Sequence, residues 1–173
     1  MARLPIIVAP DPRLKAKAKA VDKVDPEIRQ LMDDMMETMH AANGIGLAAA
    51  QVGVQKRVLV MDISAKDEEP SPIYMANPEI VWASEDDELR EEGCLSLPDM
   101  FADVVRPRAV RVRYLDRDNE IRELDADDLL AVCVQHEMDH LDGTLFVDHV
   151  STLKRNMILR KLQKSRRGLP ATV

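Results

Sequence analysis

The stretch Asp125–Gly143, DADDLLAVCVQHEMDHLDG, decides how this chain must fold. Leu129, Val132, Cys133, His136, His140 and Leu141 recur at helical spacing, which puts both histidines on an apolar, inward face. Asp125 is placed to cap the helix, with Asp127 and Asp128 in a first turn where the dipole favours acid. Gly143 is placed to stop it. Within the helix, His136-Glu137-Met138-Asp139-His140 is an H-E-x-x-H. Residues four apart stand one above the other, so both imidazoles can reach one ion. The carboxylate beside the first ligand is the usual general base of such sites. Two inward histidines alone also read as core residues with satisfied nitrogens. The intervening Glu137 shifts the balance, because a carboxylate buried beside them needs a cation or a partner.

Such a metal needs a third protein ligand from elsewhere. The metzincin spacing would put a histidine at 146, but that residue is Phe146, and His149 is out of register. A thermolysin-like site needs a downstream helical acid, and none follows Asp148. Cys133 is on the right face, yet it lies about 10 Å along the helix from His140 at roughly 1.5 Å per residue, so it reads as pocket lining. Cys94 remains, in Glu91-Glu92-Gly93-Cys94-Leu95-Ser96-Leu97-Pro98, at a strand end flanked by Gly and Pro. A lone cysteine is usually a small buried hydrophobe. Here it is the soft donor that the helix lacks. Cys/His/His leaves a fourth position open, the mark of a catalytic site, and these ligand types suit Zn2+.

Upstream, residues 1–25 read as an irregular basic arm, broken by Pro5, Pro10 and Pro12. Asp25-Pro26 opens a helix through about residue 42, whose stripe is Ile28, Leu31, Met32, Met35, Met36 and Met39. Methionines can make adaptable binding surfaces. With Arg29, Asp33, Asp34 and Glu37 opposite, this stripe reads as core. Asn43-Gly44 ends the helix. GIGLAAAQ at 44–51 lacks the Lys-Ser/Thr of a phosphate loop; its small residues allow close backbone approach, and Gln51 reads either as part of that approach or as an exposed side chain. Lys56–Ile63 reads as a buried strand. Ile73–Trp82 and Glu88–Glu92 read as strands with a Glu-Asp-Asp turn between them, and Val104–Asp116 as one half-buried strand. Asp116–Asn119 turns into Glu120–Leu124, and a last helix covers about Ser151–Arg166. The pattern predicts an α+β fold: mixed or antiparallel strands around a central metal-bearing helix, with a C-terminal helix, in a single domain over 1–173.

Composition narrows the function. At 173 residues with 46% hydrophobic residues, the chain can fill one sizeable core. Aromatics at 3% and a net charge of −7 argue against base stacking and general DNA binding. Cys94 and Cys133 make no disulfide framework. No apolar run suits a signal peptide or a membrane span, so a cytoplasmic protein without membrane partners is expected.

Three segments carry a resemblance. GIGLAAAQ at 44–51, EGCLS at 92–96 and QHEMDH at 135–140 match, in order and spacing, the motifs of the peptide deformylase family, in its shorter bacterial and organellar class. The resemblance spans essentially the whole chain. It implies metal-dependent removal of the formyl group from N-formylmethionine at the start of nascent chains. It implies Cys94, His136 and His140 as metal ligands and Glu137 as general base and acid. Gln51 and the Leu95 N–H would form the oxyanion hole, with Gly46 shaping the same site. One Fe2+ is implied, with Zn2+, Ni2+ or Co2+ tolerated. A methionine pocket is required, for which Ile45, Leu129, Val132 and Cys133 are candidates. Asp99 departs from the family, where many members have Gly.

Two other classes share the helix motif. A metallopeptidase would cut internal peptide bonds and need a different third ligand. A non-catalytic metal-stabilised domain would need a closed fourth position. Finally, residues 151–173 hold seven cations and no acid. That run reads as a solvated face, or, as the resemblance supports, as a surface that docks on ribosomal RNA.

Overall fold

The computed structural model describes residues 2–173; Met1, at the start of the arm, lies outside the described residues. The first helix, α1 (Pro26–Ala41), begins where Asp25 accepts a hydrogen bond from the Ile28 N–H at 2.9 Å. It ends at Asn43, in the left-handed region at φ 57°. Its stripe Ile28, Met32, Met35, Met36 and Met39 is buried. Seven strands follow: β1 (Gly46–Ala48), β2 (Val58–Met61), β3 (Ile73–Ala83), β4 (Asp87–Cys94), β5 (Leu97–Pro107), β6 (Ala109–Leu115) and β7 (Ile121–Asp127). Then come α2 (Asp128–Leu141) and α3 (Thr152–Ser165). Short 3-10 turns cover Pro12–Lys15, Ala49–Val52 and Phe146–His149.

An antiparallel sheet runs β1-β2-β3-β6-β7, and β4-β5 form a separate ribbon. β2 shows why its sequence is apolar without alternation. Val58 and Val60 pack with the α1 methionines, while Leu59 and Met61 pack with Val134 and Leu141 of α2. The strand is covered on both faces, so every residue is core. A third cluster joins the ribbon to the arm and α3 through Ile7, Leu14, Val104, Phe146 and Leu162.

The structure corrects two local readings. The central helix starts at Asp128, not after an Asp125 cap. Asp125–Asp127 extend β7 instead, paired with Ala109–Arg111, and the ladder outcompetes a cap. Val104–Asp116 is two strands rather than one. Pro107 ends β5, because proline donates no ladder hydrogen bond, and β6 then joins the other sheet. Across the Glu-Asp-Asp turn β3 and β4 pair with different strands: β3 pairs with β6, and the chain crosses to the ribbon. The arm is irregular and packed, with Ile6 to Ala9 and Leu14 buried.

Candidate metal centre and its cleft

α2 presents His136, Glu137 and His140, and β4 presents Cys94 at its last position. The β4–β5 register slips between Gly93 and Cys94, and such irregularities re-aim a side chain. The two His Nε2 atoms lie 3.3 Å apart, and Cys94 Sγ is 3.4 Å from His140 Nε2. One donor atom from each of the three lies within 4.8 Å of the others; among the described residues this is the one such cluster. Buried donor atoms this close repel one another unless a cation or shared proton lies among them. Burial disfavours charge on both rings; in metal-free protein, Glu137, Cys94 and Glu92 raise His136 well above its usual range, and burial and His136 push His140 well below. Both rings hold a metal in their neutral form, so a bound cation would displace the His136 proton.

His136 is oriented from behind. Its Nδ1 faces Glu92 Oε1 at 3.0 Å, which makes Nδ1–H the donor and leaves Nε2 with its lone pair toward the cluster. Arg106 forks onto Glu92 at 2.6 and 2.9 Å and reaches Asp139 at 2.8 Å. His149 Nε2 lies 2.8 Å from Asp139 on the outer side. Burial alone would raise Glu92, but His136 and Arg106 outweigh it and hold the carboxyl at about 2.

Glu137 has the opposite environment. Burial, and secondarily the charge of Glu92, push it up to about 7 against the pull of His136. Its Oε1 is buried with no protein partner. Gly46 leaves room for it: a Cβ there would stand 2.5 Å from Glu137 Oε2 and 2.9 Å from Cys133 Sγ. Gln51 is buried, which removes the exposed reading. Its Oε1 accepts from the Ala48 N–H at 2.9 Å, so Nε2 points to Cys94 Sγ (3.5 Å) and Ser96 Oγ (3.1 Å). Leu95 packs over Gly44, where a Cβ would come within 2.7 Å of its side chain.

Every residue singled out in the sequence except His140 lines one cleft of about 580 Å3; His140 sits behind the wall. Ile45, Leu129, Val132 and Cys133 share that cleft with Glu137 and Cys94. Cys133 is buried, its Sγ 3.6 Å from the Ile45 carbonyl, and burial keeps its thiol protonated. Asp99 is at the rim with φ 62°, a conformation glycine adopts freely and aspartate tolerates. Sequence reading missed Glu92, Arg106 and Asp139 as supports. Glu92 is two residues before Cys94 on the same strand face, a legible signal. Arg106 shares the inward parity of Val104, but its partners Glu92 and Asp139 come from other elements, which no local pattern shows.

Among the described residues, no helix is long and apolar enough to cross a membrane. The polypeptide deformylase family model matches residues 3–156. A peptide deformylase of Phenylobacterium zucineum is 56% identical over 164 residues, covering 95% of this chain and 97% of that protein. The crystal structure of the Ehrlichia chaffeensis peptide deformylase superposes with a TM-score of 0.92 at 43% identity, covering 96% of this chain and 98% of that one. The same enzyme in complex with actinonin gives 0.92 at 44%, covering 96% and 99%. By its sequence, its fold and its Cys-His-His cluster on one metal site, this chain belongs to the polypeptide deformylase family, the hydrolases that remove the N-formyl group from nascent peptides.

Proposed function

We propose that residues 1–173 act as one catalytic domain in the cytoplasm, with Cys94, His136 and His140 holding a single Fe2+, or Zn2+, Ni2+ or Co2+ in its place. A thiolate with two imidazoles suits such ions. The observation that carries the reading is Glu137, a buried carboxyl with one oxygen lacking a protein partner, beside the donor triad.

When bound, the cation supplies positive charge that polarises a water molecule and the formyl carbonyl. Glu137 accepts a proton from that water as its oxygen bonds to the formyl carbon. Gln51 Nε2 and the Leu95 N–H donate to the carbonyl oxygen as it gains charge, each worth about 3 kcal/mol in such holes. The C–N bond then breaks, Glu137 delivers its proton to the departing amine nitrogen, and formate leaves. Ile45, Leu129, Val132 and Cys133 receive the methionine side chain, with Gly46 keeping Glu137 clear.

The test is formate release from formyl-Met-Ala-Ser by anaerobic, iron-loaded protein. Glu137→Ala is expected to abolish release with metal retained, and Cys94→Ala to lose the metal. Unchanged metal content in Cys94→Ala would overturn the ligand assignment.

A second reading concerns α3. Of its cations, Arg155 is held by Asp148, while Lys154, Arg160, Lys161 and Lys164 are exposed beside Leu153 and Met157. This face is proposed to dock on ribosomal RNA. Salt-sensitive ribosome binding that survives conversion of those four residues to glutamate would remove the proposal.

A further inference from the structure

Ile6 and Val173 line the same cleft as Cys94 and Glu137. Neither belongs to a motif, and the family match ends at residue 156. They are brought there by a short ribbon between the arm and the tail. The Ile6 N–H donates to the Val173 carbonyl at 3.0 Å, the Val173 N–H to the Ile6 carbonyl at 2.8 Å, and the Val8 N–H to the Ala171 carbonyl at 2.9 Å. The arm's other edge is fixed on the site. The Ile7 N–H donates to the Gln51 carbonyl at 2.7 Å, and the Ala9 N–H to the Ser96 carbonyl at 2.9 Å. At the end of α3, Arg166 Nη2 donates to the Pro170 carbonyl at 2.8 Å and the Thr172 carbonyl at 3.4 Å. An unbroken set of backbone bonds therefore runs from the tail through the arm to Gln51.

The two side chains differ in what they have left to contact. Ile6 is 2% exposed and already packed, while Val173 is 54% exposed at the cleft. Val173 thus places an apolar side chain, held by two backbone bonds to Ile6 and left open to solvent, on the wall of the cleft that also holds Cys94 and Glu137. Burying such a group against a bound molecule is favourable, and its backbone is already ordered.

We propose that the Ala171–Val173 tail is a specificity-determining wall of the cleft, with the Val173 side chain, backed by Ile6, meeting the peptide chain of the substrate. This rests on the Cys94–Glu137 cleft being the deformylation site. The wall holds apolar substrate atoms, and a charged side chain at position 173 weakens that contact.

The experiment measures kcat and KM for formyl-Met-Ala-Ser with the full, metal-loaded chain, with Val173→Asp, with Val173→Ile and with a chain ending at Pro170. Val173→Asp is expected to raise KM about fivefold, with kcat and bound metal unchanged. Val173→Ile keeps the parental KM, and the shortened chain raises KM at least as far as Val173→Asp. An unchanged KM in Val173→Asp overturns the proposal, whatever the shortened chain does. A fall in kcat or loss of metal without a rise in KM marks a structural role and overturns it as well. Failure of the underlying site assignment looks different: formate release would persist in Glu137→Ala.

Discussion

At the scale of single residues, Glu137 and Gly46 form one device. The folded chain disfavours the Glu137 carboxylate, whose pKa rises from an ordinary 4.5 to about 7. In metal-free protein, the stability linked to this group is complete below about pH 4.5 and is lost as pH rises through about 7, about 3 kcal/mol in all. Metal-free Glu137→Gln is therefore expected to exceed the metal-free parent by about that amount at pH 8, and to match it near pH 4.5. Urea unfolding at the two pH values checks this; equal stabilities at pH 8 would contradict it. Gly46→Ala places a Cβ 2.5 Å from Glu137 Oε2 and must move the carboxyl. Displacement of about 1 Å costs on the order of 100-fold in rate, so formate release should fall by about that factor while metal content holds. Asp99 shows the converse, a non-glycine residue in a left-handed position at the rim.

At the scale of elements, the ribbon and the metal helix are joined by buried charge. Glu92 of β4 and Arg106 of β5 are both about 5% exposed, and together they reach His136 and Asp139 of α2. Removing Arg106 leaves Glu92 buried without its main countercharge, a change that costs about 3–5 kcal/mol in comparable pairs. Arg106→Leu is expected to lose stability on that order by urea unfolding at pH 7. The pH dependence follows from the depressed carboxyl. Glu92 contributes fully above about 4.5, and that contribution is lost as pH falls toward about 2. Without Arg106 the folded-state pKa of Glu92 moves up toward its ordinary value and this window narrows, so less stability should be lost between about pH 4.5 and about pH 2 in Arg106→Leu than in the parent, followed by urea unfolding at the two pH values. An equal loss in the two proteins would show that Arg106 does not hold Glu92 ionised. Alternation puts Ala102, Val104 and Arg106 of β5 on one buried face. What that alternation does not carry is the partner: only the fold brings Glu92 and Asp139 to meet Arg106.

At the scale of the whole molecule, β2 is packed by the α1 methionines on one face and by α2 on the other, and the α1 cluster reaches the cleft through Leu95 and the Gly44 turn. Met35 is fully buried and does not line the cleft. Met35→Ala should cost about 2–5 kcal/mol in unfolding while leaving KM for a formyl-methionine peptide unchanged. A raised KM at full stability would make the stripe a binding surface after all. The α2 helix, the α1 core stripe and the buried strand β2 were legible from the sequence alone, because short-range periodicity operates within a single segment. Ligand chemistry and motif spacing offered Cys94, His136 and His140 as candidate ligands, and the fold brings these three together from β4 and α2. Gln51 was ambiguous for the same reason: its burial depends on Ala48 beside it, but also on Cys94 and Ser96 from another element. Only the tertiary structure decided that β3 pairs with β6, that Arg106 and Glu92 stand behind His136, and that the tail reaches the cleft. Those outcomes depend on which edges and charges meet across long separations, and backbone hydrogen bonds there are indifferent to the side chains that a sequence displays.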